Sequence, residues 1–466
     1  MNPQTNIIEV QPFGGYDQAL TYSVPLNLTA KLRVGCLVRI SLGRRQTIGI
    51  VLSLSPRESP PKNKLKAITS LVQEEPVLND ELIKLGRWMS TYYGSSIDSV
   101  LESMIPAAVK DGMGQKTERY IRIKEGIEKE EAFGKLKNSP QQKKLFLHLQ
   151  KCSKECALHE ILKDLKIGVS SANTLINKGL AIEISKTVVR DAYNDEFSDT
   201  CDFVKHDISL TDEQNQATQE IIDALRKKKF QPHLLQGVTG SGKTEVYFQA
   251  MEEVLALGGG VLFLVPEVAL APQTVSRVRN RFTSGKEEVV VWHSHLSAGE
   301  RLDAWQALTS GRSRIAVGAR SAIFAPVQNL KLIIIDEEHE PAYKQEENPR
   351  YHGRDVAVYR AMLNQAMCLL GSATPSLETL HNVEIKKYTK SLLSKRVDGR
   401  ELPLVHLIDM RREAQREKTI PVLSQPLVEA LRQRYYDREQ SILFLNRRGF
   451  NTTMICPDCG EVQKCK

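Results

Sequence analysis

The run at residues 237–244, GVTGSGKT, constrains this chain more than any other stretch. Gly237 and Gly242 bracket Val238, Thr239, Gly240 and Ser241, and Lys243 and Thr244 follow. A short apolar pair, Leu234 and Leu235, precedes the run, and residues 245–257 have helical spacing after it. The glycines therefore sit where a strand turns into a helix. Small residues there let backbone N–H groups curl around an anion, and the helix N-terminus adds a favourable dipole. In that setting Lys243 reaches the outer phosphates of a nucleoside triphosphate and the Thr244 hydroxyl holds magnesium. A ligand-free glycine turn needs neither the lysine nor the hydroxyl.

With 466 residues the chain exceeds one hydrophobic core, so three or more domains are expected. The net charge of +8 is compatible with a nucleic-acid partner and decides nothing alone. No apolar run reaches a membrane-spanning length, and residues 1–10 lack the basic and apolar segments of an export signal. Eight cysteines without such a signal are expected to be reduced thiols in a cytoplasmic protein.

Four regions are expected. Residues 1–108 form a β-rich module, with strands at 20–24, 37–40 and 47–54, a basic tip at Gly43-Arg44-Arg45 and a closing helix at 79–93. That tip also suits a solvated hairpin. Residues 115–195 hold helices at 140–150, 158–165 and 169–178, then a hairpin at 181–189. This pattern suggests a winged helix, a class that binds DNA or serves as a protein contact. Cys152, Cys156 and His159 suggest a metal site, but a fourth ligand at suitable spacing is missing, so buried thiols on a helix end are expected. Residues 205–385 alternate strands and helices, with near-continuous apolar strands at 234–236, 261–265, 289–292, 314–317, 332–335 and 368–370. That is an α/β domain built on a parallel sheet. Residues 420–466 begin a further unit.

The strand at 332–335 ends in Asp336-Glu337-Glu338-His339. Asp336 is placed for magnesium and Glu337 to orient and deprotonate the attacking water. Small hydroxyl residues in GSATP, 371–375, are expected to bond to His339, completing a catalytic set of Lys243, Asp336, Glu337 and His339. Tyr351, His352 and Tyr359 alternate with Arg350, Arg354 and Arg360, a pattern suited to base stacking and phosphate contact. Cys456 and Cys459 form a zinc-knuckle half-site, and Cys465 follows six residues on.

GVTGSGKT, DEEH and GSATP, in this order and spacing, resemble motifs of a superfamily 2 helicase, with a P-loop (RecA-like) first lobe. LVPEVALAPQ, VGARSAIFAP and YKQEENPRYHGRDVAVYRA are similar to the bacterial primosomal protein N′ (PriA) family of replication-restart DNA helicases. The resemblance implies a 3′-to-5′ DNA helicase that uses ATP with Mg2+ and recognises stalled or abandoned forks. Forked and single-stranded DNA, primosome proteins and a single-stranded DNA-binding protein are its implied partners, and the protein is expected to be a monomer. LTDEQNQA, 210–217, looks like the adenine-side motif, with Gln214 as its base contact. The first region resembles a module for a 3′ DNA end, with Tyr22, Gly43 and Lys66 at its pocket and Thr21 where an acid is sometimes found. Arg350, Tyr351 and Arg354 match a DNA-sensing loop. In the family the cysteine region inserts into the second lobe and completes two Zn2+ sites. Only Cys456, Cys459 and Cys465 of that set are present, so a C-terminally truncated fragment is expected, one that binds ATP weakly and fork DNA detectably and does not unwind.

Overall fold

In the computed structural model, residues 7–55, 65–112, 117–124, 127, 129–136, 139–152, 155–187, 209–266, 272–282, 289–293, 296–399, 403–417, 421–444, 454–455 and 462–463 are described. The chain divides into two compact units, Met1–Arg400 and Glu401–Lys466.

The sequence pattern of buried apolar strands produces a seven-stranded, all-parallel sheet. Its order is Val289–Trp292, Ile315–Gly318, Gly260–Leu264, Leu330–Ile335, Met367–Ser372, Gln231–Gly237 and Thr389–Leu393. Alternate residues feed opposite faces. Leu262, Leu264, Ile333 and Ile335 pack into one core layer, and Val261, Phe263, Leu332 and Ile334 into the other. Burial on both faces is why these strands read as apolar runs. Six of the seven overlap the strands expected from the sequence. The seventh, Thr389–Leu393, is an edge strand that buries only alternate residues.

His233 ties that edge to its neighbour. Its Nδ1 lies 2.8 Å from Thr389 Oγ1 and its Nε2 3.0 Å from Ser391 Oγ. Burial holds its pKa down at about 4, against 6.5 for a free imidazole. Between those values the unfolded chain binds a proton that the folded chain refuses. Stability is thus fully present above pH 6.5 and falls as the pH drops toward 4, by roughly 3 kcal/mol. Denaturant midpoints of wild type and His233→Asn across this window check it. An identical pH slope in both proteins would remove His233 as the cause.

An antiparallel five-stranded sheet precedes this domain, in the order Leu20–Ser23, Ile7–Pro12, Arg45–Ser53, Leu37–Leu42, Ser70–Leu71. The helix Asp80–Tyr93 follows, its start capped by Asn79 Oδ1, which accepts from Leu82 N at 2.8 Å. Gly94 ends it in the left-handed conformation. This helix lies against the helix Gly353–Leu363 of the parallel-sheet domain, so the two domains share one core.

Three helices, Pro140–Lys151, Leu158–Leu165 and Val169–Asn177, pack with a third sheet around Ile121, Leu145, Phe146, Leu162 and Leu175. The strand Ala181–Thr187 does not fold back on itself as the expected hairpin. It pairs along its whole length with Thr117–Ile123, which also pairs with Cys156–Ala157. Its partner is distant in sequence, so local alternation could not reveal the pairing. Cys152 and Cys156 are half-buried and form no disulfide.

In the second unit, the helix Gln425–Tyr436 is capped by Ser424, and Glu413 Oε2 accepts from Gln425 N at 2.9 Å. Met454–Ile455 pairs antiparallel with Val462–Gln463. Residues 441–444 have no regular structure and are exposed, Ile442 at 96%. Among the described residues of this unit no strand stands beside them, so an apolar strand has nothing to pair with. Cys456, Cys459 and Cys465 lie outside the described residues. No described helix is long and apolar enough to cross a membrane.

Candidate nucleotide site and nucleic-acid interface

The phosphate loop joins the strand Gln231–Gly237 to the helix Lys243–Ala256. Gly240 and Gly242 take the left-handed backbone, at φ +81° and +77°. Gly242 also has no room for a side chain, since a Cβ there would come within 2.2 Å of Gln214 Nε2. Lys243 is buried, and its Nζ donates to Gly237 O at 2.9 Å. That ammonium is held at the loop mouth, where a phosphate would compete for it. Thr244, next in the helix, is partly accessible. Ser241 Oγ is buried with no hydrogen-bond partner among the described residues. A curled backbone, an orphaned hydroxyl and a tethered lysine are the donor set a polyphosphate needs.

The acids stand at the end of Leu330–Ile335. Asp336 Oδ1 accepts from the Tyr247 hydroxyl at 3.0 Å. Burial, and then the charge of Glu337, pushes the Asp336 carboxyl up, while Tyr247 and Lys243 pull it back. A divalent cation would favour the ionised form. Thr244 and Asp336 are the residues that would hold Mg2+, which supplies charge neutralisation of the phosphates. Glu337 takes the left-handed region at φ +45°, uncommon for a residue with a side chain. Its Oε1 is 3.8 Å from Lys243 Nζ and its Oε2 3.6 Å from His339 Nδ1. His339 Nδ1 also lies 2.8 Å from Ser372 Oγ, and its Nε2 3.5 Å from Thr374 Oγ1. The structure thus brings Lys243, Asp336, Glu337 and His339 into one cluster, with the hydroxyls of the GSATP segment beside the histidine.

Gln214 occupies a different position from a free base contact. Its Oε1 accepts from Thr211 N at 2.8 Å in a capping box, and its Nε2 donates to Ser241 O at 2.9 Å. One end of the amide caps its own helix and the other braces the phosphate loop.

Sequence reasoning passed over Glu338, the last acid of DEEH. It is fully buried and accepts from Ser376 N at 2.7 Å, Ser376 Oγ and Thr379 Oγ1 at 3.0 Å each, and Arg354 Nη1 at 3.1 Å. Four donors satisfy one carboxylate, tying the acid strand to the segment after GSATP. A glutamate that follows two other strand-end acids carries no local mark of this role.

The same geometry corrects the expected DNA-sensing loop. Arg354 is committed to Glu338. Tyr351 is buried, its ring edge-on to Phe324 at 5.4 Å. Tyr359 stacks on Trp88 at 4.0 Å with the planes 7° apart, and Arg360 is fully buried against Glu81 at 2.7 Å. Tyr359 and Arg360 fill the seam with the N-terminal module, and Tyr351 and Arg354 are held within the parallel-sheet domain. Arg350 alone of those named stays exposed, its Nε donating to Glu346 O at 3.0 Å.

In the N-terminal sheet, Gly43 turns at φ +63° and its carbonyl accepts from Lys66 Nζ at 2.9 Å. Tyr22 is buried in the core of that sheet, and its hydroxyl donates to Ser41 O at 3.3 Å. Its ring is therefore covered, and only the hydroxyl end points toward the tip where Gly43 and Lys66 meet.

These features define a helicase ATP-binding lobe: residues 211–383 match the DEAD/DEAH box helicase family, and residues 7–106 match a 3′DNA-binding domain. The replication restart protein PriA of Bacillus subtilis is 35% identical over 96% of this chain and 63% of its own length. That of Chlamydia trachomatis is 36% identical over 96% of this chain and 59% of its own. The chain belongs to the PriA family, and it spans about three fifths of these relatives. A solved structure of RecG bound to a three-way DNA junction is 25% identical and covers 45% of this chain and 27% of its own, with a TM-score of 0.35.

Proposed function

We propose that the protein containing this chain is an ATP-dependent 3′-to-5′ DNA helicase that recognises stalled or abandoned replication forks and initiates primosome assembly. The observation that carries this reading is the cluster of Lys243, Asp336, Glu337 and His339 on the same parallel sheet as the phosphate loop, 3.8 Å separating Lys243 Nζ from Glu337 Oε1. A passive scaffold needs no such cluster. The N-terminal sheet packs on that lobe through a shared core, so a DNA end held near Gly43 and Lys66 would be rigidly linked to the ATP site. Residues 115–195 are proposed as a winged helix. Cys456, Cys459 and Cys465 are proposed as part of the Zn2+ ligands of a second-lobe insertion. Primosome proteins and a single-stranded DNA-binding protein in the bacterial cytoplasm are the proposed partners, with a monomer as the working form.

The second reading is a fork-binding scaffold whose ATP site is dispensable. A Lys243→Ala version of the full-length protein separates the two. The motor reading expects loss of DNA-stimulated ATP hydrolysis, of fork unwinding and of helicase reloading. Reloading at the wild-type rate would sink it in favour of the scaffold.

A further inference from the structure

Residues 393–397, just past the edge strand, lie across the phosphate loop. Val238 N donates to Leu393 O at 3.2 Å, and Val397 N donates to Gly240 O at 2.9 Å. Glu213 clamps the middle of this strap, accepting from Ser394 N at 2.7 Å, Ser394 Oγ at 2.5 Å and Lys395 N at 3.2 Å. Ser394, before the backbone N–H groups, is the leading cause holding the Glu213 carboxyl below its ordinary range. The next residue, Gln214, braces the opposite jaw through Ser241 O. One helix start thus fixes both the loop and the strap above it.

The strap delivers one cation to the loop. A Cβ built on Gly240 would meet Arg396 Nε at 3.2 Å and Nη2 at 3.5 Å, so the guanidinium lies directly over the loop's tip. Arg396 Nε is buried and donates no hydrogen bond among the described residues; Asp398 Oδ1 stands 3.7 Å away. Ser241 Oγ, on the residue after Gly240, is the other buried group at this loop with no partner among the described residues. Two unsatisfied buried groups at one phosphate loop indicate a ligand that accepts hydrogen bonds. Charge points the same way. Asp336 and Glu337 oppose Lys243 here, and a magnesium-bound triphosphate remains anionic, so a second cation is needed in this lobe.

We propose that Arg396 is a phosphate-contacting residue, its guanidinium donating to a phosphate oxygen of a nucleoside di- or triphosphate held in the loop. The proposal rests on reading residues 237–244 as a nucleotide loop. Arg396 contributes a charge-assisted hydrogen bond, and Asp398 is the acid it leaves when the phosphate arrives. An arginine does this better than a lysine because its planar fork reaches the loop tip and the phosphate together.

The test measures binding of fluorescently labelled ADP to the full chain, as wild type, Arg396→Ala, Arg396→Lys and Lys243→Ala. Arg396→Ala is expected to weaken ADP binding about tenfold, the worth of one charge-assisted hydrogen bond. Arg396→Lys recovers part of that loss, and the ligand-free thermal midpoint stays close to wild type in both. ADP affinity in Arg396→Ala within twofold of wild type, with Lys243→Ala impaired, overturns the role of Arg396 and leaves the loop reading standing. Arg396→Lys as weak as Arg396→Ala shows that the side chain packs the strap rather than meeting phosphate, and also overturns it. Wild type that binds no labelled ADP overturns the loop reading itself.

Discussion

Glu337→Gln in the full-length protein is expected to lower DNA-stimulated ATP hydrolysis by about 10²- to 10⁴-fold, the usual worth of a positioned general base. Nucleotide affinity should stay within about threefold of wild type, since the substitution preserves shape and leaves Lys243 on Gly237 O. The backbone argues for this split. Glu337 sits at φ +45°, held by Glu340 N on its carbonyl at 2.9 Å and by Glu338 N on Gly371 O at 3.0 Å. This uncommon conformation is enforced from both sides and aims the carboxylate between Lys243 and His339. A residue that served only to bind magnesium would change affinity and rate together. Single-turnover hydrolysis alongside labelled-ADP binding resolves the two. A variant retaining more than a tenth of wild-type hydrolysis would assign the base to another group.

How much of this was legible in the sequence depended on how local each signal was. The phosphate loop, the acid-bearing strand and most of the parallel sheet were readable because each is written in consecutive residues. A strand buried on both faces, such as Leu330–Ile335, is apolar throughout and needs no partner to be recognised. Thr389–Leu393 was not readable, because an edge strand shows water one face and looks like a polar loop. Thr117–Ile123 was missed for another reason: its partner Ala181–Thr187 lies about sixty residues downstream. The bond from Gln214 to Ser241 O was not readable, because it depends on a loop folding back beside the residue.

The clearest misreading concerned charge and aromaticity. In sequence, Arg354, Tyr359 and Arg360 form a basic, aromatic stretch of the kind that grips single-stranded nucleic acid. In the fold Arg354 is committed to Glu338, and Tyr359 and Arg360 are covered by partners remote in the chain. Glu81 stands 279 residues from Arg360, and Trp88 comes from the same N-terminal helix. Composition shows which residues suit stacking and ion pairing. It does not show whether they meet DNA or another domain.

Breaking that seam should therefore be costly. Arg360→Ala is expected to destabilise the Met1–Arg400 unit by about 3–5 kcal/mol, because it strands the largely buried Glu81 carboxylate without its partner. Replacing both partners, Arg360→Met with Glu81→Leu, should recover most of the loss, since a buried pair is worth little more than apolar contact of the same volume. Denaturant titrations of wild type, Arg360→Met, Glu81→Leu and the double variant form a double-mutant cycle that reads this directly. If the double variant is as unstable as Arg360→Ala, the loss came from packing or from the Ile323 carbonyl that Arg360 also holds. The consequence reaches past stability. Gly353–Leu363 carries Arg360 and Tyr359 against the N-terminal module and, at its start, Arg354 against Glu338 of DEEH. One rigid helix thus touches both the proposed DNA-end module and the acid strand. In the full-length protein, Arg360→Ala should lower the stimulation of ATP hydrolysis by forked DNA while basal hydrolysis holds. Equal losses in both would show that the seam supports the lobe's fold and carries no signal between the two sites.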